Sequence, residues 1–98
     1  FHFYGGSSVE MFQIMPDKKS NLVTLGSDIF NDEQPQVIVP HGVWQGTKLK
    51  HPKEGDWALL GCTVAPGFEL ENFHILNRSE LIKKFPEYKE KVTEFTNP

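Results

Sequence analysis

Pro35-Gln-Val-Ile-Val-Pro-His-Gly-Val-Trp-Gln45 and, after a charged segment, Gly61-Cys-Thr-Val-Ala-Pro-Gly-Phe68 carry the fold of this chain. The first stretch reads as strand, tight Pro-x-Gly turn, strand. The second closes a further strand with a Pro-Gly turn. Proline presets one backbone torsion and glycine supplies the positive one, so both reverse a chain sharply. A buried face alternating with an exposed one between such turns is the pattern of a small β-barrel. Gly42 is expected to sit at positive φ in the first turn.

Working outward, residues 1–4 read as the end of a strand and Gly5-Gly-Ser-Ser8 as a turn, too short and polar-flanked for a phosphate loop. Residues 9–15 alternate, with Val9 and Met11 on one face and Glu10, Phe12 and Ile14 on the other; Gln13 fits neither pattern cleanly. Residues 16–20 form a charged hairpin loop, and residues 21–25, rich in apolar and β-branched side chains, return as a strand. Residues 26–34 are a polar loop from which Ile29-Phe30 is expected to dip into the core. Strands are predicted at 36–39, 43–49 and 57–64, the last two joined by the solvated hairpin 50–56.

The final third changes character. Asn77-Arg-Ser-Glu80 has the spacing of a capping box, and Leu81, Ile82 and Phe85 give the helix it opens an apolar side. Pro86 interrupts it, and Tyr88, Val92 and Phe95 then mark a second short amphipathic helix. These helices are expected to cover a barrel opening or an edge. With no internal repeat, low-complexity segment or linker, residues 1–98 read as one domain. The chain starts inside a strand without an initiator Met, which leaves an edge that either missing N-terminal strands or a partner chain is expected to cover. A homodimer is the expected assembly.

Composition narrows the partners. The 98 residues carry a net charge of −3 with both signs interspersed, so no basic field is available to hold a phosphate backbone and nucleic acid is not an expected partner. No run is long enough to cross a membrane, and no stretch reads as a signal peptide. The single cysteine, Cys62, excludes an internal disulfide, and its apolar setting points to a reduced, cytoplasmic protein. Eight Phe and two Trp supply a large buried area for so short a chain.

The segments His2-Phe-Tyr-Gly-Gly6, 35–45 and 61–68, with the trailing Phe73, resemble a small group of cupins loosely likened to the sugar epimerases of the rhamnose pathway. The resemblance runs over nearly the whole chain. It implies an all-β, cupin-type double-stranded β-helix (a jelly-roll barrel) with short C-terminal helices, often dimeric, with a pocket at the barrel centre. Cupins generally hold a divalent metal through two His and a Glu of a first motif and a His of a second. In that second motif, G-x5-P-x-G-x2-H-x3-N, Pro40 and Gly42 match the turn, whereas Gln34, Gln45 and Leu49 stand in place of the Gly, the His ligand and the Asn. Gly6 can close the first motif, but its His and Glu ligands would precede Phe1. An amide oxygen is a poorer transition-metal ligand than imidazole. These residues therefore provide no metal site, and a divalent metal would need ligands outside the chain.

Candidate site residues follow from the strand faces. Gln45 shares a face with Val43 and Thr47, the inner one in the cupin register, where its amide would both donate to and accept from a polar ligand. Glu10, were its face inward, would suit acid–base work; the competing reading turns Val9 and Met11 to the core and Glu10 to solvent. Phe12, Trp44 and Trp57 are candidates to line a ligand pocket. The histidines at 2, 41, 51 and 74 show no metal-ligand spacing, with His41 and His51 expected in exposed turns. Cys62 lacks an accompanying His–Asn or His–Asp arrangement and reads as a small hydrophobe. The leading function is binding of a small molecule in the barrel pocket. The alternatives are a carbohydrate isomerase or epimerase, for which only Glu10 and an inward His could supply acid and base, and a dimeric scaffold without chemistry.

Overall fold

A computed structural model describes residues 1–97, the side chain of Asn72 excepted. The chain divides into two compact units, Phe1–Cys62 and Thr63–Pro98. The first is built from β1 (His2–Gly6), β2 (Val9–Ile14), β3 (Ser20–Leu25), β4 (Trp44–Leu49) and β5 (Ala58–Gly61). All strand pairs are antiparallel, in one sheet of order β3-β2-β4 and another of order β1-β5.

A tight loop sets the register of the β2–β3 hairpin. Met15 N donates to Lys19 O at 2.7 Å and Lys18 N to Met15 O at 2.9 Å, while the Asp17 carboxylate accepts from Lys19 N at 3.0 Å. Asp in such a turn replaces a backbone acceptor with its own side chain. Gly42, at φ +83°, makes the predicted turn before β4, closed by Val43 N donating to Pro40 O at 3.2 Å.

Residues 34–37 join the two sheets. Gly26 N donates to Gln34 O at 3.0 Å and Gln34 N to Thr24 O at 2.8 Å, extending the sheet beyond β3. On the far side, Phe3 N donates to Pro35 O at 2.8 Å, and Phe1 and Val37 exchange a reciprocal pair at 2.8 and 3.0 Å. The hydrogen-bonded succession is therefore β4, β2, β3, residues 34–37, β1, β5, and β4 and β5 are not paired with each other among the described residues. Two expectations change here. Residues 36–39 form no strand, only an isolated bridge from Gln36 to His2, with Pro35 and Pro40 lacking the N–H that would extend a ladder. The first strand is not a bare edge, since β5 and residues 34–37 flank it.

Other expectations also shift. Gly5-Gly6 falls inside β1, where the register slips, and Gly6, at φ +95°, backs onto the Trp57 carbonyl so closely that any Cβ would collide with it. The strand predicted over 57–64 contracts to β5, leaving Trp57 before it and Cys62 exposed after it. Ile29 and Phe30 do not enter the core. They lie on a 3-10 turn, Ile29–Asn31, with Phe30 94% exposed.

The core consists of Val9, Met11, Leu25 and Val37, packed with Phe1, Phe3, Val23, Val39, Leu49, Ala58 and Leu60. Met11 and Leu25 are completely buried. Val9 and Met11 thus face the core, which places Glu10 on the other side of β2.

The second unit contains α1 (Arg78–Lys84) and α2 (Lys89–Phe95), with a 3-10 turn at Pro86–Tyr88 between them. Asn77 caps α1 as predicted, its Oδ1 accepting from Glu80 N at 2.9 Å. Glu80 answers through its carboxylate, which accepts from Asn77 Nδ2 at 3.0 Å rather than from the backbone N–H of the cap residue. Phe85 and Val92 are buried, with Tyr88 and Phe95 half-buried on the predicted stripe. Arg78 fastens the end of α2, donating to Thr96 Oγ1 at 2.9 Å and to the carbonyls of Thr93 and Thr96 at 2.7 and 2.6 Å. The last backbone carbonyls of a helix have no partner within it, and a guanidinium satisfies two such acceptors here.

Candidate ligand-binding face

Residues directly opposite in antiparallel strands point to the same face, so the register sorts every side chain of the three-stranded sheet. The core face forms three rows across β3, β2 and β4. Leu25, Val9 and Leu49 make the first, Val23, Met11 and Thr47 the second, and Asn21, Gln13 and Gln45 the third. Polarity rises along the strands: an aliphatic row, a mixed row, then three amides.

Gln13 is the decisive member. It is the one buried polar residue among those described, at 3% exposure. Its Nε2 donates to the Ile38 carbonyl at 3.3 Å and to Met11 Sδ at 3.4 Å. Bonding to a carbonyl fixes that end as the nitrogen. Its Oε1 accepts no hydrogen bond among the described residues, and it lies on the same face as the exposed amides of Asn21 and Gln45. No buried side-chain nitrogen or oxygen lacks a partner among the described residues, so this Oε1 sits at the solvent-reachable end of the side chain, open to whatever enters that face.

The opposite face carries Thr24, Glu10 and Lys48, then Leu22, Phe12 and Gly46, then Ser20, Ile14 and Trp44. Glu10 Oε1 lies 3.9 Å from Lys48 Nζ, a long cross-strand ion pair. Of the five residues singled out for ligand binding, only Gln45 is on the core face. Glu10, Phe12 and Trp44 share the other face because strand alternation separates neighbours, and Trp57 lies outside any strand, 61% exposed. For the acid–base reading, Glu10 lies on the face of β2 away from the core, His41, His51 and His74 are exposed, and His2 is half-buried on β1. Gln13 and Asn21 were not anticipated. The sequence signal for both is the hairpin register: once Met15 is set against Lys19, Gln13 must face Asn21.

A family model described as Cupin superfamily (DUF985) matches residues 1–76. The chain belongs to the cupin superfamily. Among solved structures, the crystal structure of protein SO0799 from Shewanella oneidensis superposes on this cupin with a TM-score of 0.88 at 29% identity. The alignment covers 99% of this chain and 60% of the Shewanella protein, so the chain spans about three-fifths of that relative's length. No curated protein sequence matches.

The donor set bears on the metal that cupins generally hold. Where the second motif would place a His ligand, this cupin has Gln45, with Gln13 and Asn21 beside it in the row. No group of three or more His, Cys, Asp or Glu side chains able to hold a metal ion occurs among the described residues. Three neutral amides do not fit a transition metal. They suit hydroxyl or amide groups of an organic ligand, each amide offering a donor and an acceptor. No helix of the described residues is long and apolar enough to cross a membrane.

Proposed function

We propose that this cupin binds a small, neutral, polar molecule on the core face of its β3-β2-β4 sheet, within a jelly-roll barrel and without a metal drawn from these residues. Gln13 carries the reading: a nearly buried amide held by its nitrogen, its oxygen at the solvent-reachable end, beside the exposed amides of Asn21 and Gln45 in the same row. Ligand pockets are mostly apolar with a few convergent polar groups, and the aliphatic rows beside the amide row supply that mixture. A hydroxyl-bearing metabolite such as a monosaccharide or polyol matches donors and acceptors together. A second copy of the chain is the expected macromolecular partner, supported by the outer edge of β5, which has no strand partner among the described residues, and by exposed Tyr4, Trp57 and Leu59.

Ligand-observed NMR with a panel of neutral monosaccharides and polyols tests the reading, alongside the mass of any molecule that co-purifies. Saturable binding weakened about three- to tenfold by Gln45→Ala is expected, the equivalent of one lost hydrogen bond. Binding indifferent to Gln45→Ala, or none across the panel and no co-purifying molecule, contradicts it.

A further inference from the structure

The amide of Gln13 has one stable orientation. Its Nε2 donates to the Ile38 carbonyl at 3.3 Å and to Met11 Sδ at 3.4 Å, and both partners are acceptors. A half-turn of the amide would set Oε1 against a carbonyl oxygen and a thioether sulfur with no proton between them. Both hydrogen bonds would be lost on a side chain only 3% exposed. The partners are themselves anchored, since Met11 is completely buried and Ile38 follows Val37 of the core. Gln13 therefore presents an oxygen, and only an oxygen, to the open side of the face.

Its neighbours in the row differ. Asn21 and Gln45 are exposed and make no hydrogen bond through their side chains among the described residues, so each can turn to offer either oxygen or nitrogen. One fixed acceptor thus stands between two adjustable amides. Paired strands lie about 4.8 Å apart, so a ligand the size of a sugar ring reaches the middle amide and at least one neighbour. No ionisable side chain occupies the three rows of this face. An ammonium donor would lose its hydration there with no carboxylate to compensate it, whereas a hydroxyl would not.

We infer that Gln13 sets the ligand specificity of this face: its Oε1 accepts from a neutral hydroxyl and excludes ligands that bring an ether, carbonyl or fluorine to the same point. The inference rests on the binding reading above and gives that contact a direction, with the ligand as donor. A site built to hydrogen-bond a hydroxyl discriminates strongly against an analogue that lacks it, because the buried acceptor is left unpaired.

Glucose, galactose and mannose, each compared with its single-site deoxyfluoro derivatives by ligand-observed NMR, test the inference. Fluorine replaces one hydroxyl at similar size and cannot donate. For a sugar that binds, one ring position is expected to be intolerant, losing about tenfold or more in affinity, while the others change about threefold or less. In Gln13→Leu, the parent sugar and the intolerant derivative are expected to bind alike. A measurement on the ligand-free protein stands independently of that variant's folding: the side-chain amide protons of Gln13 are expected to exchange with water about tenfold or more slowly than those of Asn21 and Gln45. Equal exchange at the three amides overturns the inference, because Gln13 would then turn freely. Equal tolerance of fluorine at every position, or discrimination that persists in Gln13→Leu, overturns it while leaving the binding reading intact. No binding by any of the three parent sugars also contradicts it, and the binding reading falls as well only where the wider panel of sugars and polyols fails.

Discussion

The two faces of β2 are equally dry over most of their length and differ in what their polar groups do. On the core face, Val9 and Met11 lead to Gln13, whose amide is tied down at one end and open at the other. On the opposite face, Phe12 and Ile14 are also buried, but the polar member, Glu10, is paired across the sheet with Lys48. A polar residue with a charged neighbour in register is already answered within the sheet. One half-satisfied beside free amides is not. Position in the register, more than residue type, separates a candidate binding residue from one already paired within the sheet.

Emptying the core face has the largest expected effect. Met11→Ala removes a completely buried side chain from the middle row and is expected to cost about 2–5 kcal/mol, read as a lowered denaturation midpoint. A change below about 1 kcal/mol would mean that the core lies elsewhere. Gly42→Val comes next. At φ +83°, with Pro16 Cγ 3.3 Å from where a Cβ would stand, it is expected to destabilise by about 1–3 kcal/mol. An unchanged urea midpoint would remove the turn that delivers β4 into register.

Asn77→Ala, which strips the cap from α1, is expected to cost about 1 kcal/mol, and retention of the cap by Asn77→Asp should recover most of it. Glu10→Gln is the smallest effect. A long, partly buried ion pair at 3.9 Å contributes about 1 kcal/mol or less, so denaturation should respond little and ligand binding should not respond at all. Loss of ligand binding in Glu10→Gln would transfer the site to the other face and favour the acid–base reading.

Much of this arrangement is readable from residues alone. The alternation of 9–14 and 44–49 and the turn chemistry of Pro16-Asp17 and Pro40-His41-Gly42 locate β2, β3 and β4 to within a residue or so. The Asn77 cap and the Tyr88, Val92, Phe95 stripe locate both helices. What pattern could not settle was which side of β2 is inside, because both sides carry apolar residues; only cross-strand register and the core packing of Met11 against Leu25 and Val37 decide it. The same ambiguity makes Glu10, Phe12 and Trp44 pocket candidates by pattern, and the register places all three on the face away from the core. Residues 34–37 escaped recognition as the link between sheets because bridges between two prolines leave no strand-length signature. Ile29 and Phe30 misled in the opposite direction, apolar by type yet left outside by a turn too short to reach the core.

The amide and indole side chains allow one spectrum to test the central claim. In a ¹H–¹⁵N correlation spectrum, the side-chain amides of Asn21, Gln13 and Gln45 report the core face and the Trp44 indole reports the other. With a neutral monosaccharide or polyol that binds, the account predicts that the three amides shift together and saturate with one dissociation constant while Trp44 stays still. Saturating shifts of Trp44 with the amide row unmoved would contradict it.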